Sequence, residues 1–187
     1  NLGNPSARPF FSRRIGLNVP VIGGGRLSGN IGDKWRIGLM DMQTGSENEI
    51  PASNFAVAVL QRQIFSRSNI AGFIINKNVV SDYSDSLYSG SRYNRVAGLE
   101  YNLATPDNRW TGKAFYHQSF YPGATSNAAS VSGNIDFITK PVKASFAQSW
   151  IGSDYIAEVG YIRRAGYFET SAAFKYSTYP VKGEVLY

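Results

Sequence analysis

The stretch YIAEVGYIRRAGYFETSAAFKYSTYP, residues 155–180, decides how the rest of the chain is read. In its first part Tyr155, Ala157, Val159 and Tyr161 alternate with Glu158 and Gly160. In its second part Phe168, Thr170, Ala172, Phe174 and Tyr176 alternate with Glu169, Ser171, Ala173, Lys175 and Ser177. A period of two is the pleat of a β-strand, and Ala165 with Gly166 supplies the reversal, because glycine accepts a positive φ at little cost. The polar face carries carboxylates and an ammonium, and the apolar face carries aromatics near the strand ends. Strands of about 10 residues are long enough to cross a bilayer when tilted. The expectation is two strands of a transmembrane β-barrel, apolar outward to lipid and polar inward to a lumen.

Composition agrees with that assignment. The 187 residues are 43% hydrophobic and include 12 Tyr, 11 Phe and 19 Gly, but no apolar run approaches the length of a membrane helix, so any spanning segment must be a strand. With no cysteine and one histidine there is neither a disulfide framework nor a thiolate or imidazole-rich metal site, and no cofactor is expected. The net charge of +6 comes from Lys and Arg scattered through strands and turns without a basic stripe. Nucleic acid is therefore not an expected partner. The charge leans toward anionic partners, such as acidic solutes or lipopolysaccharide. The opening NLGNP is no natural start, which suggests a mature or partial chain.

Taken in order, candidate strands fall at residues 10–18, 21–31, 34–44, 54–65, 69–77, 93–103, 109–120, 130–139 and 142–151, then the two of residues 155–180, and a twelfth beginning near Val181. The expected architecture is thus all-β and antiparallel, with 11–12 strands of a barrel filling residues 1–187 as an incomplete barrel. Alternation assigns Arg26, Asn30, Glu100, Asn102, Lys113, His117, Asn134, Asp136, Glu158, Glu169 and Lys175 to the lumen. It assigns Leu27, Leu39, Val59, Leu99, Ile135, Val159 and Phe174 to lipid. Connections alternate between tight and long, as periplasmic turns and extracellular loops do, which puts the N-terminus of a first strand at 10–18 in the periplasm. Trp35, Trp110, Tyr116, Tyr121, Trp150, Tyr155, Tyr161, Tyr176 and Tyr179 sit near strand ends, as an interfacial girdle requires.

Three segments also resemble a known family. FFSRRIG at 10–16, VIGGGRLSGNIGDKWRIGLMDMQTG at 21–45, and DYIAEVGYIRRAGYF at 154–168 followed by YSTYP at 176–180 are similar to bacterial outer-membrane proteins of unknown function. In that family a barrel follows a periplasmic domain similar to carbohydrate-binding module family nine. The resemblance covers the first part of the family's barrel, and the carbohydrate-binding-like domain is absent. It implies a Gram-negative outer-membrane location and further strands, with lipid, lipopolysaccharide and other envelope proteins as partners. It carries over no catalytic residue and no solute.

The chemistry-bearing residues are weighed against that background. His117-Gln118-Ser119 places a base and a hydroxyl on one strand face, as the outer-membrane phospholipase family does. That face also carries Lys113 and points to the lumen, away from lipid substrate, and Phe120-Tyr121 follows where that family tends to have Asn-Gly. Glu100, Asp136, Glu158 and Glu169 could be paired as glycosidase acids, but read more simply as hydrated lumen charges balanced by Arg26, Lys113 and Lys175. Glu47-Asn48-Glu49, Asp82 and Asp85 lack the ligand order of a calcium loop, and Gly23-Gly24-Gly25 has no following helix to make a phosphate loop. The expected function is non-enzymatic, a pore or transporter or a structural member of an envelope assembly, with a phospholipase-like surface enzyme as the alternative. Because a sheet edge in hydrocarbon leaves backbone groups unpaired, the chain is expected not to close on itself, with segments 10–18 and 181–187 at the open edges.

Overall fold

The structure, a computed structural model, describes residues 2–82 and 88–178. Its strands are β1 (Ala7–Arg8), β2 (Val21–Ile31), β3 (Trp35–Thr44), β4 (Ser53–Ile64), β5 (Ser68–Val79), β6 (Tyr93–Ala104), β7 (Trp110–Phe120), β8 (Ala129–Ile138), β9 (Val142–Ile151), β10 (Tyr161–Ile162) and β11 (Tyr167–Tyr176), with a 3-10 turn at Ser12–Arg14. The long strands form one antiparallel sheet in the order β11-β9-β8-β7-β6-β5-β4-β3-β2, and β1 pairs with β10 in a separate ribbon. The sheet is open, with β2 and β11 as its edges.

Register decides the two faces, since directly paired residues stand on the same side. One row runs Arg26, Met40, Val57, Ile75, Val96, Ser119, and the next runs Leu27, Leu39, Ala58, Ile74, Ala97, Gln118. The first row lies on the face that the rest of the chain covers, called inner here. The second lies on the uncovered outer face. Two segments cover the inner face, residues 2–15 and residues 152–162. Their Ala7, Tyr155, Ala157 and Val159 pack with Phe55, Val57, Phe73, Ile75 and Val96 of the sheet into the buried core.

Three sequence expectations need correction. Residues 10–18 are not a spanning strand: Gly16 and Asn18 take φ of 75° and 64°, and the backbone turns through Ser12–Arg14. Residues 2–15 instead run along the inner face, and β2 begins at the long-loop end of the sheet. Residues 155–164 are not a strand of the sheet either. Tyr155, Ala157 and Val159 point into the core, β10 is two residues long, and β11 takes the place beside β9. Gly160 permits this path, because a Cβ there would meet the carbonyls of Arg8 and Pro9. Among the described residues the edges are accordingly β2 and β11, and 10–18 is not one of them. The proposed twelfth strand at 181–187, Asp85 and Tyr179 lie outside the described residues.

The parity of the connections does hold through β9. Residues 32–34, 65–67, 105–109 and 139–141 are tight turns at one end, and residues 45–52, 80–92 and 121–128 are longer at the other. The last connection, 152–166, is the one that folds back over the inner face.

Candidate functional site: the polar inner face

Glu100 is the centre of the first cluster. It is 2% exposed on β6, and its Oε1 accepts from the Gly3 backbone N–H and lies 3.0 Å from His117 Nε2 on β7. Its Oε2 lies 2.7 Å from Lys113 Nζ, which also donates to the Gly3 carbonyl at 2.7 Å. Glu100 and Lys113 therefore grip both backbone groups of Gly3 with charge-assisted hydrogen bonds, roughly twice as strong as neutral ones. Asn4 adds contacts to Ser132 Oγ at 3.2 Å and Ser149 Oγ at 3.4 Å. His117 is fully buried, stacked on Phe115 and edge-on to Phe73.

The second cluster holds residues 152–162. Lys77 of β5 ion-pairs with Glu158 and bonds Tyr88. Asn94 of β6 reads the backbone as a neighbouring strand does, donating to Ile156 O at 3.1 Å and accepting from Glu158 N at 3.0 Å. Ser119 Oγ accepts from Ile156 N at 3.3 Å and donates to Ala128 O at 3.2 Å. Burial pushes the Tyr155 phenol above its ordinary pKa, with the Glu100 charge adding to it, so the ring stays neutral.

Of the residues assigned to the lumen, Glu100, Lys113 and His117 come together, and Glu158 joins Lys77. Arg26, Asn30, Asn102, Asn134, Asp136, Glu169 and Lys175 also share the inner face, spread along it: Asn102 bonds Asn69 at 2.8 Å, and Asn134 bonds Asp136 at 2.9 Å. Leu27, Leu39, Leu99, Ile135 and Phe174 stand on the outer face and are exposed. Val59 and Val159 do not. Val59 follows Phe55 and Val57 on the inner side of β4 and packs against the core, and Val159 is 1% exposed within it. Tyr155 leaves the girdle for the same core. Trp35, Trp110 and Tyr176 do line the tight-turn ends on the outer face.

The expected base–hydroxyl pair does not assemble. His117 gives Nε2 to Glu100, its Nδ1 has no partner, and Ser119 is bonded elsewhere. Ser130 stands directly across from His117 on β8, also without a partner and fully buried. Sequence reasoning passed over Gly3, Asn4, Lys77 and Ser130. The period of two puts Lys77 on the Phe73 side of β5, but nothing local tells that side from the other. No family model matches the chain, and neither a curated protein nor a solved structure matches it. No helix among the described residues is long and apolar enough to cross a membrane, which says nothing of strands.

Proposed function

We propose that this chain is wall and inner plug of a non-enzymatic outer-membrane β-barrel of a Gram-negative bacterium, acting as a solute pore or as a structural member of the envelope, with tight turns and N-terminus on the periplasmic side. One observation carries the reading: the face of the sheet that the chain leaves uncovered is largely apolar. The outer face exposes Leu27 (63%), Leu99 (61%) and Phe174 (72%) beside Ile70, Ile74, Val131 and Ile135, while the inner face buries Glu100 and Lys77. In water each such Leu or Phe forgoes about 1.5–3 kcal/mol of burial, and a continuous apolar face of this extent marks contact with a membrane or partner. Lipid is the occupant that strands of 10–12 residues with aromatic ends fit. No observation favours the phospholipase alternative, since the hydroxyls near His117 are enclosed.

In this reading the sheet must close, and its parity says how. Nine alternating strands leave β2 and β11 running the same way, so an antiparallel ring needs an odd number of further strands between them. A second copy in the same membrane orientation would set β11 parallel to β2 and does not complete the ring. The proposal is tested on the full-length protein by carbonate extraction of outer membranes and by heat-modifiable mobility in detergent gels. Retention in the membrane fraction with a heat-dependent shift is expected. A protein that is soluble and monodisperse without detergent refutes it.

A further inference from the structure

The two segments on the inner face are held in different ways. Residues 152–162 are nailed to the sheet by Lys77, Asn94 and Ser119 and bury Tyr155 and Val159 completely or nearly so. Residues 2–11 touch the sheet's polar groups at Gly3 and Asn4, and pair with residues 152–163 through Ala7 and Arg8, the Phe11 N–H to Val159 O, and the Arg163 N–H to Ser6 O. Gly3 sits at φ 70°, in a bend where a Cβ would meet the Ala7 carbonyl and Pro9 ring.

We infer that residues 2–11 form a displaceable strap that closes the inner face, latched by Glu100 and Lys113 on Gly3. The latch is reversible because its charges do not depend on the strap: Glu100 keeps Lys113 and His117 when Gly3 leaves, so no uncompensated charge is created. Opposing release is the packing of Leu2, Ala7 and Phe10 on the core. The strap is the moving part and residues 152–162 the fixed part, so release uncovers Glu100, Ser132 and Ser149 on the inner face. That this uncovering opens a membrane pore rests on the reading above; the strap itself does not.

The sequence has no cysteine, so a Ser132→Cys reporter is the one thiol within these 187 residues for a bulky maleimide, with the protein lacking the reporter as the labelling background. Gly3→Val is expected to raise its labelling rate at least tenfold, and Lys113→Met to raise it less. An unchanged rate in both overturns the strap. Because Gly3→Val could act by misfolding, a second test uses the Asn4→Cys/Ser149→Cys pair, bridged by a short bifunctional thiol reagent with a cleavable disulfide, in the Lys113→Met background and in planar bilayers. Bridging is expected to lower conductance, and reductive cleavage to restore it. Equal conductance before and after cleavage in a protein that conducts overturns the strap as a gate. If the labelling result is as expected but no variant inserts into bilayers, the strap stands and the membrane reading fails.

Discussion

Leu99 and Glu100 are neighbours in the chain with opposite surroundings: the leucine is 61% exposed and the carboxylate 2%. A strand turns adjacent side chains to opposite faces, so the pair samples both sides of the sheet at one point. The contrast runs along the sheet, with Ile74 against Ile75 and Val131 against Ser130. The outer face carries an uncovered apolar band, with Asp41, Asn54, Asn76 and Arg95 toward its long-loop end, whereas the inner face is mixed and covered, with each buried charge given a partner. Charges buried in pairs teach that the inner side is filled by the protein itself, and the open apolar surface is what the proposed membrane reading accounts for.

The largest expected effect comes from breaking an inner pair. Lys77→Met leaves Glu158 without its ion-pair partner and is expected to cost about 3–5 kcal/mol of stability, with Lys77→Met/Glu158→Gln recovering most of it. Urea unfolding in lipid vesicles measures both. Next is the outer face, where Leu99→Arg should cost about 2–4 kcal/mol if Leu99 sits near mid-bilayer. On a water-facing surface the same change stays within about 0.5 kcal/mol, so a negligible loss in vesicles would erase the contrast between the faces.

Removing the strand-like grip of Asn94 is a smaller perturbation. Asn94→Leu leaves the Ile156 carbonyl and Glu158 N–H unpaired, at about 1–3 kcal/mol, and hydrogen exchange should rise at residues 155–159 while the outer strands keep their protection. Smallest is the tight turn between β6 and β7, outside both faces. There the Thr105 hydroxyl, then the Arg109 backbone N–H, hold the Asp107 carboxyl below its ordinary range. Its folded pKa lies below its unfolded one, so the small stabilisation is present above about pH 3.9 and lost as pH falls through the folded value. Asp107→Asn should flatten the stability profile in that acid window, lowering stability slightly at neutral pH and leaving it nearly unchanged below the folded value.

How much of this was legible follows from what the period of two can encode. It located β2 to β9 and β11, and it put Glu100, Lys113 and His117 on one face and Leu27, Leu99 and Phe174 on the other. It misread Val59 and Val159 because a lipid-facing valine and a core valine look alike in sequence. The same ambiguity made residues 155–164 read as a strand: Tyr155, Ala157 and Val159 alternate with polar neighbours whether a pleat or a packed loop requires it.

By itself, then, the sequence determined an all-β antiparallel sheet and the residues on each face of its long strands, because pleat and turn chemistry are local. Only the tertiary structure decided which face is covered and by what. Gly3 meets Glu100 across 97 positions of sequence, and Lys77 meets Glu158 across 81. No local pattern announces such contacts, because the partners are selected by the register of strands between them and by burial that leaves a charge only one place to be satisfied.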